Sequence, residues 1–474
     1  GLTADSGLRW DRNPPPHIEP EPILVNGAPN FKTATLGEPG QSLYDTQWSN
    51  FAPRVGGAYR LRTAPNWETI VRGGYGLFYD IGAGAPATLT AQFPYSNSAL
   101  LASQPFPFPA LTLPLASLTP PYPATAYLAR YTDDYVSPRV HQWNVAVEQA
   151  LGSLQRLSLT YSGNAGRRLL RRSTMTNQAY GNPLFATTAT FYNTTNSPEL
   201  GDRSDYAALQ AQFFHRSRIL QAIVNYTLAR AKDTNASDVN TAAIADPGLV
   251  GWLQPAGEYS YSALDRRHNF SGAVTIDLPA AGQDGDLLHH VTSGWTMDWV
   301  VQAQSGRPIN VNYLWTVPGV GISYQLRPDL VPGVPIWIDD PLEPRGRRLN
   351  PAAFSVPANP GERAPTLPRN SIRGFGYWQA DVSLGRQFRI TGDVRVRVRA
   401  EVFNVFNVAN FRNPSPTLGI KLASGVFSPL AAFGKTTQML NRSTGGASAG
   451  NDQVNTVYAL GGPRAVQLSL RVTF

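Results

Sequence analysis

Long segments in which apolar and polar side chains alternate one by one constrain this chain more than any other feature. Val and Ala alternate with Arg and Glu along 394–402, and Val, Leu and Phe alternate with polar residues along 466–474. A period of two is typical of a β-strand whose two faces meet different environments. The rhythm predicts twelve strands, at 2–12, 52–62, 68–80, 139–151, 156–164, 205–215, 220–232, 266–278, 292–304, 376–390, 394–407 and 463–474.

The links between these strands alternate between short and long. Short links follow the even-numbered strands, at 63–67, 152–155, 216–219, 279–291 and 391–393. Long links follow the odd-numbered strands, at 13–51, 81–138, 165–204, 233–265, 305–375 and 408–462. Outer-membrane barrels have short periplasmic turns and long extracellular loops, and their tilted strands need about nine to eleven residues to cross the bilayer. The sequence therefore predicts an all-β, transmembrane antiparallel β-barrel with long extracellular loops.

The alternation also predicts which face of each strand meets lipid. Lipid offers no partner to a backbone N–H or C=O, so a spanning sheet must close on itself, with an apolar outside and a polar lumen. Each Arg on the lipid face near the midplane would cost about 2–4 kcal/mol. We therefore assign Arg395, Arg397, Arg399, Glu401 and Asp381 to the lumen. The three cations either guide anionic substrates or form a solvated wall paired with acids such as Asp381.

Composition excludes several function classes. The 474 residues are 42% apolar and contain no Cys, which excludes a disordered chain, a disulfide scaffold and thiolate metal sites. The net charge of +8 is scattered, so no nucleic-acid partner is expected. The chain lacks a long apolar run and a signal-peptide pattern. No nucleophile elbow or metal-ligand spacing is present, so we expect no enzyme activity, metal or cofactor.

Other side chains are candidates for contacts with lipid or with partners. Arg266, Arg267 and His268 begin a strand near the predicted outer rim, where they bind lipopolysaccharide phosphates or substrate, or simply anchor the rim. His289 and His290 lie in the longest of the short links. Tryptophans near strand ends or on the apolar face predict a belt at the lipid interface, and they are Trp67, Trp295, Trp299 and Trp378.

Three long links carry features of a folded surface structure. The segment 106–123 is apolar and rich in Pro, so we expect its loop to pack against other surface loops, a plug or another subunit, or among its own residues. The links 305–375 and 408–462 are long enough to build a cap over a barrel mouth.

Several segments, in this order along the chain, resemble the barrel of TonB-dependent outer-membrane receptors, most closely the Oar-like class that carries a carboxypeptidase-regulatory-like domain. These segments are FAPRVGGAYRL (51–61), VRGGYGLFYD (71–80), VHQWNVAVEQAL (140–151), LSLTYSGNAGRRL (157–169), YAALQAQFFHRS (206–217), VNYTLARAKD (224–233), DRRHNFSGAVTIDLP (265–279), GWTMDWVVQAQSGRPINV (294–311), RNSIRGFGYWQADVSLGRQFRI (369–390) and RVRAEVFNVFNVANFRNP (397–414). The resemblance implies a barrel of about 22 strands in the bacterial outer membrane. It also implies a plug, uptake energised through TonB, and a terminal Phe474 that serves as the assembly signal.

Against that family, residues 1–474 resemble the C-terminal portion of the barrel, and we expect no plug, TonB box or signal peptide among them. The remaining strands and the plug would come from another chain or from a missing N-terminal segment, unless the chain closes as a smaller barrel. Two functions follow from the resemblance and the loops. The first is uptake of a bulky nutrient such as a siderophore, glycan or peptide, and the second is an outer-membrane anchor or scaffold for a surface assembly.

Overall fold

The computed structural model describes residues 1–17, 19, 21–28, 30–80, 93–94, 116–198, 201–235, 255–283, 286–318, 323–360, 364–391, 394–440 and 461–474. Twelve long strands follow one another in a single sheet, each antiparallel to the next. They are β1 Leu2–Asn13, β2 Gln47–Arg62, β3 Thr69–Tyr79, β4 Arg139–Ala150, β5 Gln155–Leu169, β6 Asp202–Arg216, β7 Leu220–Asp233, β8 His268–Asp277, β9 Trp295–Gln304, β10 Tyr377–Thr391, β11 Val394–Phe403 and β12 Ala465–Thr473. All twelve predicted strands are confirmed, as is the alternation of short and long links.

The register keeps one face of the sheet apolar from strand to strand. On this apolar face Tyr161 of β5 lies opposite Leu209 of β6, and Leu209 lies opposite Leu228 of β7. The row continues at the other end of the sheet, where Val398 of β11 lies opposite Leu470 of β12. Many of these side chains are exposed, and Leu470 is 70% exposed. The opposite, polar face carries amides, hydroxyls and charges.

Strand ends differ from the sequence prediction where the backbone turns. β11 ends at Phe403 rather than 407, because Asn404 and Asn407 adopt left-handed φ values of 50° and 51°. β9 begins at Trp295 rather than 292, because a short helix, Leu287–Thr292, occupies the preceding link. β2 and β5 run further toward the long links than alternation predicted.

The long links contain the short elements of the chain. Their strands are Val25–Asn26, Thr35–Leu36, Ala126–Leu128, Arg171–Thr176, Thr190–Thr195, Ser260–Tyr261, Pro308–Ile309, Asn312–Thr316, Ser323–Leu326, Asp329–Leu330, Trp337–Asp339, Arg347–Leu349, Phe354–Ser355, Ile372–Arg373, Thr417–Lys421 and Phe427–Pro429. Their helices are the α-helix Asn177–Tyr180 and the 3₁₀ turns Phe31–Thr33, Pro255–Glu258, Pro344–Gly346 and Pro351–Ala353.

These elements form a cap at the long-link end of the sheet, with a first lobe built from the links after β1, β3 and β5. The core of this first lobe is aromatic, and Phe31 stacks on Phe191 with ring centroids 4.5 Å apart. Phe93 is fully buried against Tyr127. Burial raises the pKa of Tyr44 to about 12, which keeps its phenol neutral inside the lobe. The described part of the link 81–138 therefore packs against other surface loops, while residues 106–115 of its Pro-rich segment lie outside the described residues.

The second lobe of the cap is built from the links after β9 and β11. Its core contains Tyr313, Tyr324 and Leu349 from the first of these links and Leu418 and Phe433 from the second, all buried. This confirms the predicted cap of 305–375 and 408–462 for the described residues. The two lobes touch, since the Tyr324 hydroxyl donates a 3.3 Å hydrogen bond to the Thr174 carbonyl.

The first and last strands are the edges of the sheet. Within the described residues, β1 pairs only with β2, and β12 pairs only with β11. The described helices are all too short or too polar to traverse a bilayer.

Candidate functional site: the polar sheet face and the base of the cap

The arginine row of β11 lies on the polar face, as the alternation predicts. Arg395, Arg397 and Arg399 alternate with Val394, Val396 and Val398, and their register partners on β12 are the polar residues Thr473, Arg471 and Ser469. The same register places Glu401 opposite Ser383 on β10, two residues after Asp381. The structure thus brings all five predicted residues to one face.

Within the described residues, this row is paired at Arg399, which contacts Asp298 of β9 and Glu401 of its own strand. Arg399 Nη2 lies 3.1 Å from Asp298 Oδ2, and Arg399 Nε lies 3.2 Å from Glu401 Oε1. The hydroxyls of Thr275 and Ser383 donate to the two Asp298 oxygens at 2.7 and 2.9 Å. Acids therefore pair with the row at Arg399, but Asp381 is not one of them in the described contacts, since Asp381 accepts the Asn404 N–H at 2.7 Å at the end of β11.

Sequence reasoning missed Asp298, although a signal for it exists. Asp298 lies between Met297 and Trp299, and it is the one carboxylate at the polar positions of β9. Only the register of β9 against β10 places it opposite Ser383 and within reach of Arg399.

Toward the short-link end, the polar face carries arginines without nearby carboxylates. A cavity of about 240 Å³ is lined by Gln387, Arg395, Arg397, Arg471 and Thr473. Arg397 donates a 2.9 Å hydrogen bond to the Gln387 amide oxygen. Among the described residues, no carboxylate lies within ion-pair distance of these three arginines, so this cavity attracts anions.

A second, larger groove crosses the polar face between β2 and β6. It has a volume of about 450 Å³, and its lining includes Arg54, Phe78, Asn144, Asn164 and Tyr206. The Arg54 guanidinium lies 4.5 Å from the centre of the Phe78 ring. A Cβ at Gly76 would lie 2.8 Å from the Phe78 ring, so glycine there makes room for it. Aromatic, amide and cationic groups together suit a polar organic ligand or a polypeptide surface.

Ion pairs, most of them buried, join the cap to the ends of two strands and the long links to one another. Asp202 begins β6 and Asp233 ends β7, and both are paired with arginines of the long links. The Arg327 guanidinium holds the Glu258 carboxylate through two bonds of 2.5 and 2.8 Å. The four pairs are Arg171–Asp202, Arg327–Glu258, Arg369–Asp233 and Arg373–Asp265.

Arg369 lies at the centre of these pairs. Its guanidinium donates to the Asp233 carboxylate at 2.5 Å, to the Asp233 carbonyl, and to the Glu258 carbonyl at 3.0 Å. Its own carbonyl accepts a 2.6 Å bond from Ser260. Arg369 thus ties the link after β7 to the link after β9, and the second lobe is held on the sheet by charge-assisted hydrogen bonds.

The candidate residues at the predicted outer rim and in the longest of the short links make different contacts in the structure. The Arg266 guanidinium donates to the Ser305 carbonyl at 3.0 Å, and His268 bonds the Tyr226 hydroxyl at 2.7 Å, while Arg267 is exposed. The rings of His289 and His290 are 6.4 Å apart in the helix Leu287–Thr292. In the described parts of the chain, no group of three or more His, Asp or Glu is placed to hold a metal.

Three of the tryptophans lie on the apolar face, Trp295 and Trp378 near strand ends and Trp299 in the middle of β9, whereas Trp67 lies in a short link. Trp67 and Trp378 are 46% and 40% exposed, and Trp295 and Trp299 are half-buried on β9. Arg386, which interrupts the apolar alternation of β10, donates to the His290 carbonyl and, at 2.7 Å, to the Val291 carbonyl. The Arg386 guanidinium therefore satisfies carbonyl groups at the C-terminal end of the helix Leu287–Thr292. The sequence alone did not predict this role. Phe474 follows β12 and is 92% exposed.

Comparisons with known proteins agree with this architecture. The model of a family described as an outer membrane beta barrel domain matches residues 1–447. A search of curated proteins finds no match.

Several solved structures align with this chain. The outer membrane transporter YddB from Escherichia coli is 11% identical, with a TM-score of 0.42, and 83% of this chain and 40% of that chain are covered. The FrpB iron transporter from Neisseria meningitidis is 12% identical, with a TM-score of 0.39, and 86% of this chain and 39% of that chain are covered. The ferripyoverdine receptor of the outer membrane of Pseudomonas aeruginosa is 10% identical, with a TM-score of 0.37, and 81% of this chain and 32% of that chain are covered. The chain spans about two fifths of the length of YddB.

Proposed function

Because the chain belongs to the family of outer membrane beta barrel domains, we propose that it forms part of the wall of a barrel for nutrient uptake, with its polar face toward the lumen. The protein is located in the bacterial outer membrane. The Oar-like class stays a prediction. The observation that carries the proposal is that the sheet has one mainly apolar and one mainly polar face, as the register of β11 against β12 shows.

The substrate class follows from the resemblance and from the charges of the polar face. By that resemblance, the proposed substrate is a bulky nutrient such as a siderophore, a glycan or a peptide. The cationic cavity of Arg395, Arg397 and Arg471 supports an anionic group on the substrate, since opposite charge raises its local concentration. The groove at Arg54 and Phe78 offers a second polar surface along the same face.

The two sheet edges support a larger assembly. An unpaired strand edge in lipid leaves backbone N–H and C=O groups without partners, at a cost of several kcal/mol each. We therefore propose that β1 and β12 pair with further strands, supplied by another chain or by an N-terminal segment that also carries the plug. Coupling to TonB is part of the same proposal, by resemblance to the receptor family.

Growth on defined nutrients tests the uptake function. A strain that lacks the gene is grown with siderophore-bound iron, with glycans or with peptides as the limiting nutrient, and is compared with a strain carrying the restored gene. We expect a growth defect on at least one of them. For an anionic nutrient the R395Q/R397Q/R471Q variant reproduces the defect, whereas R412Q, a single exposed cap arginine, does not.

The alternative function, an anchor for a surface assembly, predicts a different result. In that case the deletion strain grows normally on every nutrient but loses other proteins from its surface. The folded cap favours a binding role of some kind, since its two lobes have their own cores. Normal growth with a changed surface proteome would overturn the uptake proposal.

The terminal aromatic is proposed as the assembly signal. Deleting Phe474 is expected to lower the amount of assembled protein in the outer membrane severalfold, because an exposed terminal ring is then missing from the last strand. Heat-modifiable migration on gels measures the assembled fraction. Phe474→Trp is the control and should assemble normally, and equal assembly of the deletion and the wild type would remove this role.

A further inference from the structure

The apolar face does not stay apolar up to the long-link end. On four neighbouring strands, β4 to β7, it ends in positive charge. The cations are Arg139, Arg167, Arg203, Arg230 and Lys232, and they occupy the positions of the apolar alternation. On β7, for example, Val224, Tyr226 and Leu228 are followed on the same face by Arg230 and Lys232.

The register brings these five cations into one cluster. Arg139 of β4 lies directly opposite Arg167 of β5. Lys232 of β7 lies opposite Asp205 of β6, and Arg230 lies opposite Ala207. Four adjacent strands extend over about 14 Å, at roughly 4.8 Å per spacing.

Tyr259, from the link after β7, organises the middle of this rim cluster. The Arg203 guanidinium lies 4.0 Å from the centre of its ring, and the Lys232 ammonium lies 5.4 Å from it. The Tyr259 hydroxyl donates a 2.8 Å bond to Asp205, which also receives Arg167 Nη2 at 2.6 Å. A small hollow of about 120 Å³ opens beside Lys232, Arg230 and Tyr259.

The cluster is not neutralised from within. Asp205 pairs with Arg167, and no other carboxylate of the described residues lies within ion-pair distance of any of the five cations. Arg139, Arg203 and Arg230 are exposed, and Lys232 is half-buried. Five cations and one carboxylate leave an excess of positive charge on a surface that continues directly into the apolar face.

We propose that this rim cluster binds the phosphorylated headgroup of a glycolipid in the outer leaflet, whose acyl chains lie along the apolar face below. An Arg on a lipid-facing strand costs little near the interface and much at the midplane, so the row marks the membrane boundary. Phosphate oxygens accept paired N–H bonds from guanidinium groups. The exposed Val145, Tyr161 and Leu209 continue the same face toward the membrane centre. The inference rests on the long-link end facing the cell exterior and not on uptake.

Lipid binding by the full chain in detergent micelles tests the proposal. The chain is titrated with lipopolysaccharide, with dephosphorylated lipopolysaccharide and with phosphatidylglycerol. Each cation near an anionic surface contributes a factor of about five, so R139Q/R230Q/K232Q should weaken lipopolysaccharide binding roughly 100-fold. Dephosphorylated lipid should bind the wild type as weakly as intact lipid binds the variant.

A control variant removes the same charge from the short-link end of this group of strands. R156Q/R216Q/R218Q loses three exposed cations near the short links and should bind lipopolysaccharide like the wild type. R139K/R230K/K232R keeps the charge, and it should retain most of the binding. The proposal would be overturned if both glutamine variants lost the same lipopolysaccharide affinity or if the rim variant bound lipopolysaccharide like the wild type. It would also be overturned if the wild type bound phosphatidylglycerol as tightly as lipopolysaccharide. Nutrient uptake is tested by growth and not by lipid binding, so a failure of the uptake proposal would not affect this test.

Discussion

Leu209→Arg is expected to destabilise the membrane-inserted protein by about 2–4 kcal/mol, because it places a guanidinium on the lipid-facing side near the middle of β6. Leu209 is 50% exposed and lies opposite Tyr161 and Leu228 on the apolar face. The free energy of unfolding from a bilayer is measured by titration with denaturant, and the assembled amount in cells should fall with it.

The next residue on the same strand supplies the control. Gln210 is exposed on the polar face, opposite Thr160 and Thr227. Gln210→Arg should change the free energy of unfolding by only a few tenths of a kcal/mol, since the charge remains in water. If both variants lost the same stability, or if only Gln210→Arg did, the assignment of the two faces would be wrong.

Arg369→Met is expected to destabilise the cap by about 3–5 kcal/mol, because it leaves the Asp233 carboxylate buried without its cation. Arg369 is only 9% exposed and also satisfies the Asp233 and Glu258 carbonyls. We expect faster backbone hydrogen exchange in residues 255–265 and 364–376, while the central strands keep their protection.

Another arginine of the same cap provides the comparison. Arg348 pairs with Asp340 at 2.9 Å, and the two side chains are 26% and 27% exposed. Because water remains available to both charges, Arg348→Met should cost at most about 1 kcal/mol. Similar exchange rates in the two variants would mean that the Arg369 network does not hold the cap to the sheet.

The strands and faces were predictable because each strand carries its own signal. Val394, Val396 and Val398 point to one side of a strand whatever lies beside it, since successive side chains alternate. The same local rule placed Arg395, Arg397 and Arg399 on the polar face before any neighbour was known. The strand ends were less predictable, because the left-handed turn at Asn404 depends on a short stretch without alternation.

The partners of the charged side chains were not predictable. Asp298 and Arg399 are far apart in the sequence, and only the register of β9, β10 and β11 brings them together. Arg369 and Asp233 meet only after the links have folded over the end of the sheet. Sequence reasoning offered pairing with acids such as Asp381 as one of two readings of the arginine row, and it did not single out Asp298.

The sequence by itself determined that this protein is a twelve-strand antiparallel sheet with one apolar face, long loops at one end and short turns at the other, because side-chain alternation and link length are local properties. Only the tertiary structure decided that the cap has two lobes, that ion pairs hold it on the sheet, and that cations from four strands gather at one rim. Those features depend on which distant segments become neighbours, and neighbourhood is set by strand register and packing rather than by any single stretch of residues.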